Sequence, residues 1–324
     1  MSGHYRQAES DFRQALDEAS ESDADTLRVL GEIGSLLLAE GRLDEAESVL
    51  NRGIGLVRAD RALNQRQLPV LLGMLGSVYQ QTGKFRASEK ALKEAVQLGT
   101  KLLADSPQYM AQLYNTMGVL HLDSGNGAQA EKDFKKALAL VEKAGPESTL
   151  QLAQVVANLA GLHFFQRKWS LAEPELHRSL RLVEDFSGPV HPDAALMLNN
   201  LGVLYFDQGK LVEAEAMHRR ALEIRRKVFG TENPYTAISA AHLAEVLAKS
   251  GANDEAGTLF AEALRTQERT LGTEVPAVAL TLEKFADFLR KTNNNVLAGE
   301  LEHRAGAIRL EHTHTVSLKE IPDR

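Results

Sequence analysis

The chain has 324 residues, is 44% apolar and contains no cysteine; that is enough apolar material for one or two cored domains, and it excludes a disulfide framework or a thiolate metal site, in keeping with a reducing, cytoplasmic compartment. With 37 basic against 44 acidic residues the formal charge is -7, which favours solubility and gives no general attraction to nucleic acid. The opening MSGHYRQAES lacks the basic-then-apolar order of a secretory signal, and no run of about 18 apolar residues occurs, so no membrane insertion is expected.

In chain order, the first pattern is HYRQAESDFRQAL, where Ala8, Phe12 and Ala15 have the spacing of the second helix of a repeating unit. A lone or half-repeat helix is therefore expected over 4–20. Seven units follow. Gly34, Gly76, Gly118, Ala160, Gly202, Ala244 and Ala286 stand 42 residues apart, and two further small-residue series, one from Ala46 to Ala298 and one from Gly53 to Ala305, keep the same step. The 42-residue units cover 1–311 together with the opening half-unit.

Each unit reads as a helix, a tight turn and a longer helix. Leu198, Leu201, Gly202 and Tyr205 share one helical face. Gly209 then interrupts, as Gly41, Gly83, Gly125 and Gly251 do, and a second helix runs from about Leu211 through Ala214, His218 and Ala221. First helices are expected near 27–40, 69–82, 111–124, 153–166, 195–208, 237–250 and 279–292. Pro192, Pro234 and Pro276 are expected just before three of them. Small residues at fixed positions imply close helix approach, with Gly202 opposite Ala214 and Ala221 against the following unit. Pro174 falls inside a second helix, and residues 312–324 read as a tail or small cap once the pattern fades near Leu310. The expected fold is all-α, a right-handed superhelical solenoid of antiparallel helix pairs.

The spacing of Leu198, Leu201, Gly202, Tyr205, Gly209 and Ala214 resembles a tetratricopeptide repeat, and the 42-residue period with LNNLG…GKLVEAE…RRALEIRRKVFG…NP looks like its kinesin-light-chain-type subclass. The resemblance implies a binding module in which outward faces of the first helices line a concave groove. At about 100° per residue, that face offers Gln112, Asn115, Val119 and Leu122, then Gln154, Phe164 and Phe165, then Leu196, Asn199, Val203, Phe206 and Asp207. The apolar members form an expected anchor strip for an extended or helical peptide; the alternative is packing of Phe164 and Phe206 between adjacent repeats. Asn115, Asn158, Asn199 and Asn200 are candidates for holding a peptide backbone, as the resemblance implies from groove asparagines in kinesin-light-chain-like repeats; for Asn158 and Asn200 the alternative is bonding to neighbouring loops that keeps repeats in register.

Catalysis has no matching pattern. No HExxH, CxxC, GxxxxGKS or GxSxG motif is present, so no cofactor, metal site or enzyme is expected. His121 and His163, at the position of Tyr79 and Tyr205, read as packing residues with one satisfied nitrogen each, and the basic run 218–227 as a solvated helix face. Terminal repeats leave one apolar side unstacked, which makes self-association through the ends the second reading of function.

Overall fold

In the computed structural model the described residues are 24–60 and 62–319, with side chains placed from 26 to 310. The helix expected over 4–20 lies outside them. Fourteen α-helices and no strand occur among the described residues. The chain divides at Leu182 and Val183 into two compact units. The first holds α1 (Ala24–Ala39), α2 (Leu43–Ala59), α3 (Gln67–Gln81), α4 (Phe85–Leu102), α5 (Pro107–Asp123), α6 (Gly127–Val141), α7 (Thr149–Phe165) and most of α8 (Trp169–Ser187). The second holds the end of α8 with α9 (Pro192–Asp207), α10 (Leu211–Phe229), α11 (Pro234–Ser250), α12 (Asn253–Leu271), α13 (Pro276–Lys291) and α14 (Asn295–Lys319). Consecutive helices pack as pairs, giving the expected all-α stack of helix hairpins in each unit.

The turns follow from backbone sterics. Gly41, Gly83, Gly125, Gly209 and Gly251 adopt φ between 72° and 92°, a region that costs glycine nothing. At the two turns without glycine, Arg167 (φ 56°) and Asn293 (φ 64°) take the same conformation. Pro192, Pro234 and Pro276 do not precede their helices but open them as first residues, where the missing N–H is one that the helix would leave unpaired anyway. Asn233 caps α11 by accepting from the Tyr235 N–H at 2.9 Å. α8 continues through Pro174, whose missing bond would have gone to the exposed Ser170. α14 runs on to Lys319, since EHTHTVSLK holds neither glycine nor proline to stop it.

The small-residue series are all buried, but the partner across the hairpin differs from the expected one. A Cβ on Gly202 would meet the His218 ring at 2.5 Å, not Ala214. Gly34 likewise receives Leu50, Gly76 receives Leu92 and Gly118 receives Phe134, each sixteen positions on. The reason is antiparallel register: Gly202 lies seven residues before the turn glycine Gly209 and His218 nine after it, so the two stand at similar height in the hairpin, whereas Ala214 is only five past the turn. Gly53, by contrast, faces Leu71 on the following first helix, as expected of its series. Where serine stands in for alanine, its hydroxyl is used: Ser88 donates to the Gly76 carbonyl and Ser179 to that of Ala153, both at 2.7 Å.

Gly118→Ala should therefore cost about 1–3 kcal/mol through overpacking against Phe134. Gly55→Ala, at an exposed helical site with nothing within 4 Å, should gain about 0.5–1 kcal/mol. Urea melts of the two variants check the pair, and equal effects would refute the contact account.

Candidate functional site

First helices of successive hairpins touch one another within each unit, α1 with α3, α3 with α5 and α5 with α7, then α9 with α11 and α11 with α13. Part of the face expected to be free is therefore a seam. In the first unit, Asn115 is 3% exposed and accepts at 2.9 Å from the amide of half-buried Asn158. Val119 and Leu122 are half-buried and pack on the cluster of Phe134, Leu159 and Leu162. Gln112 and Gln154 are exposed, and Gln151 ties α7 to α5 by donating to the Gln108 carbonyl at 2.8 Å. Phe165 stands apart from the seam: it is 72% exposed, and the half-buried Phe164 meets it edge-on at 5.7 Å. Among the described first-helix residues of the first unit, Phe165 is thus the most exposed large apolar side chain.

In the second unit Leu196 is 44% exposed, Asp207 is exposed, and Asn200, Val203 and Phe206 are half-buried. Lys249 Nζ lies 4.6 Å from the centre of the Phe206 ring. Asn199, expected to face a peptide, is 4% exposed and bonded inward. It sits about 60° round the helix from Leu196, on the flank that α11 covers. Both Asn115 and Asn199 are thus corrected from groove amides to inter-helix struts, because seventeen-residue and sixteen-residue first helices meet along that flank.

The surroundings of Asn199 are polar and buried. Arg225 can only donate, so the amide atom facing it is Oδ1; that oxygen accepts from the guanidinium at 3.0 and 3.2 Å and from Ser239 Oγ at 2.9 Å, while Nδ2 donates to His218 Nδ1 at 3.0 Å. Arg225, 6% exposed, also donates to the Tyr235 carbonyl at 2.7 Å and to Ser239 Oγ at 3.0 Å. The His218 ring, 1% exposed, lies 5.4 Å from that of His242. Burial, with Lys284 and Arg225 nearby, lowers the His218 pKa to about 4. Burial, followed by His218, Lys284 and Arg225, lowers that of His242 to about 3. Desolvation also brings Arg225 down to about 10. Nothing in the helical periodicity singled out this cluster; the signal lay in comparing equivalent positions between units.

The other sequence candidates are settled by their partners. His121 Nδ1 meets Asp133 and His163 Nδ1 meets Glu175, both at 2.8 Å, so each packing histidine has one satisfied nitrogen and a carboxylate twelve positions on. In the basic run, Arg219 pairs with Glu255 at 2.7 Å, Arg220 with Glu184, Arg226 with Glu262 at 3.0 Å and Lys227 with Glu223 at 2.6 Å. The first three belong to a series of second-helix pairs 36 residues apart that includes Arg58 with Glu94, Glu142 with Arg178 and Glu268 with Arg304. Pairs this exposed contribute about 0–1 kcal/mol each, so their effect is to neutralise the run and hold register. Among the described residues no group of three or more His, Cys, Asp or Glu is placed to hold a metal, and no helix is long and apolar enough to cross a membrane.

The buried histidines give a signed pH dependence. The unfolded chain takes up each proton near 6.5 and the folded chain only near 4 for His218, so stability is full above 6.5 and declines as pH falls toward 4, by about 1.4 kcal/mol per pH unit per histidine. His218→Leu, the residue at the equivalent Leu50, Leu92 and Leu176, should remove about half of the loss in unfolding free energy between pH 6.5 and 5. An unchanged pH slope in urea denaturation would rule out His218 as the source.

Tetratricopeptide repeat family models match residues 2–63, 66–143, 149–227 and 193–256. No curated protein matches the chain. Among solved structures, BtubC (BKLC) from P. vanneervenii is 24% identical, with 71% of this chain and 92% of that one covered at a TM-score of 0.60. A putative kinesin light chain with nearly identical TPR-like repeats, from Podosopora anserina, is 18% identical over 64% of this chain and 97% of that one, with a TM-score of 0.52. The apo form of RapI is 15% identical over 89% and 99%, with a TM-score of 0.64. At these identities the likeness is one of fold. The 42-residue step, the stacked hairpins and the family match over most of the length agree: the chain belongs to the tetratricopeptide-repeat family.

Proposed function

We propose that this protein is a non-catalytic scaffold of the kinesin-light-chain-like kind, which binds a protein or peptide segment through the first-helix face of its repeats. The observation that carries this reading is Phe165, the last residue of α7, 72% exposed beside the half-buried Phe164. A ring in that position leaves its apolar area in water in the unbound molecule and buries it only against a partner, a gain of about 25 cal/mol per Å². Val119 and Leu122 extend the apolar ground, and the exposed amides of Gln112 and Gln154 supply a polar rim that can bond to a peptide backbone. Preformed hairpins make such binding a docking event with little ordering cost, so affinity would rest on a few anchors. A chain without cysteine suits a reducing compartment, where we place it.

The test is affinity capture with the whole chain, with Phe165→Ala, and with Val212→Ala, which removes an 80% exposed apolar side chain from a second helix. Melting temperatures should be alike, because neither side chain is buried. Partners held by the parent and by Val212→Ala should be lost from Phe165→Ala; partners retained equally by all three would overturn the assignment of this face.

A further inference from the structure

In the second unit, core positions that are apolar in the preceding repeats turn polar together, and Gln267 and Thr281, 42 residues on from Arg225 and Ser239, are buried and polar as well. Stepping back by 42 residues, Arg225 stands where Val57, Val141 and Val183 stand, and Ser239 where Leu71, Leu113 and Val155 stand. His218 occupies the seat of Leu92 and Leu176. One buried polar residue is ordinary, but three coordinated replacements converging on Asn199 forfeit apolar burial at three places and call for a compensating use.

The hydrogen-bond inventory is lopsided. Arg225 brings five N–H groups, Asn199 two and Ser239 one hydroxyl. The acceptors they meet are Asn199 Oδ1, Ser239 Oγ, the Tyr235 carbonyl and His218 Nδ1, all of them neutral. Among the described residues no carboxylate pairs with Arg225, although its neighbours Arg219, Arg220 and Arg226 all have one, and Glu245 is taken by Lys284. His242 Nδ1 is enclosed with no hydrogen-bond partner. A guanidinium this buried is normally matched by an anion, since the uncompensated charge is what makes burial costly. At the edge of the cluster the Arg225 Cζ lies 5.8 Å from the ring centre of Tyr235, which is 56% exposed, and His242 is half-buried as a whole.

From this geometry we infer that Arg225, with Asn199, Ser239 and His242 around it, forms a receptor for a single carboxylate group. A planar monoanion fits the guanidinium fork with two parallel bonds and cancels one buried charge, where a dianionic phosphate would leave an excess of the opposite sign. His242 supplies a further donor from Nδ1 to the same group. The carboxylate comes either from an acidic residue of a docking chain or from a small free acid. The inference is independent of the Phe164 and Phe165 surface, which belongs to the other unit, so each can fail alone.

The whole chain, labelled with ¹⁵N, is titrated near neutral pH with sodium acetate while sodium chloride keeps ionic strength constant. Separate titrations use acetyl-Gly-Glu-Gly-amide and its Gln counterpart. Saturable shifts of the Arg225 Nε–H and His242 ring signals are expected with acetate, with the Glu peptide or with both, and not with chloride or the Gln peptide. A peptide response with acetate silent assigns the group to a docking chain; an acetate response alone assigns it to a free acid. Arg225→Gln should abolish the His242 response. Should that variant not fold, His242→Phe leaves the guanidinium signal readable and should weaken binding about tenfold. No saturable shift from either carboxylate, undiminished binding in His242→Phe, or the same His242 shift in Arg225→Gln overturns the receptor.

Discussion

Each hairpin is held at its spacing by a side chain lying on a residue that has almost none. Gly34, Gly76, Gly118 and Gly202 each take a bulky residue of the second helix onto a bare Cα, closer than any Cβ would allow. This contact fixes which faces of the two helices meet, and so which faces remain for the next hairpin and for partners. It explains why the small-residue series persist at a constant step when most of the sequence between them varies. Dense interdigitation at these seats is the usual condition of a protein interior, and it makes the pair sensitive to a single added methyl.

The same seat accepts leucine, phenylalanine or histidine, and this tolerance lets one unit differ chemically from another without a change of fold. At His218 the seat is filled by a ring whose polar atom must be satisfied, and Asn199 turns inward to do so. That bond in turn draws in Ser239 and Arg225, so a substitution at one core position is propagated into a four-residue polar network. Its members are neutral apart from the guanidinium, because desolvation and the neighbouring cations keep both imidazoles unprotonated at neutral pH.

The two helices of each hairpin present different surfaces to the outside. Second helices carry paired opposite charges from one hairpin to the next, and this turns a basic run such as 218–227 into a neutral lattice. First helices carry amide and apolar groups, many of them consumed where first helices touch. What is left over is small and specific, with the Phe165 ring its most exposed apolar member on the first-unit face.

By itself the sequence determined the repeat, the helix pairs, the turns at Gly41, Gly83, Gly125, Gly209 and Gly251, and the burial of Leu201 and Tyr205, since all of these follow from local propensity and a 3.6-residue period. Tertiary structure decided which residue fills each glycine seat, because that depends on the register of two helices. It also decided that Asn115 and Asn199 are struts and Phe165 is surface. Periodicity places a residue on a face of its own helix, whereas whether that face meets solvent or a neighbouring helix depends on a contact 40 or more positions away.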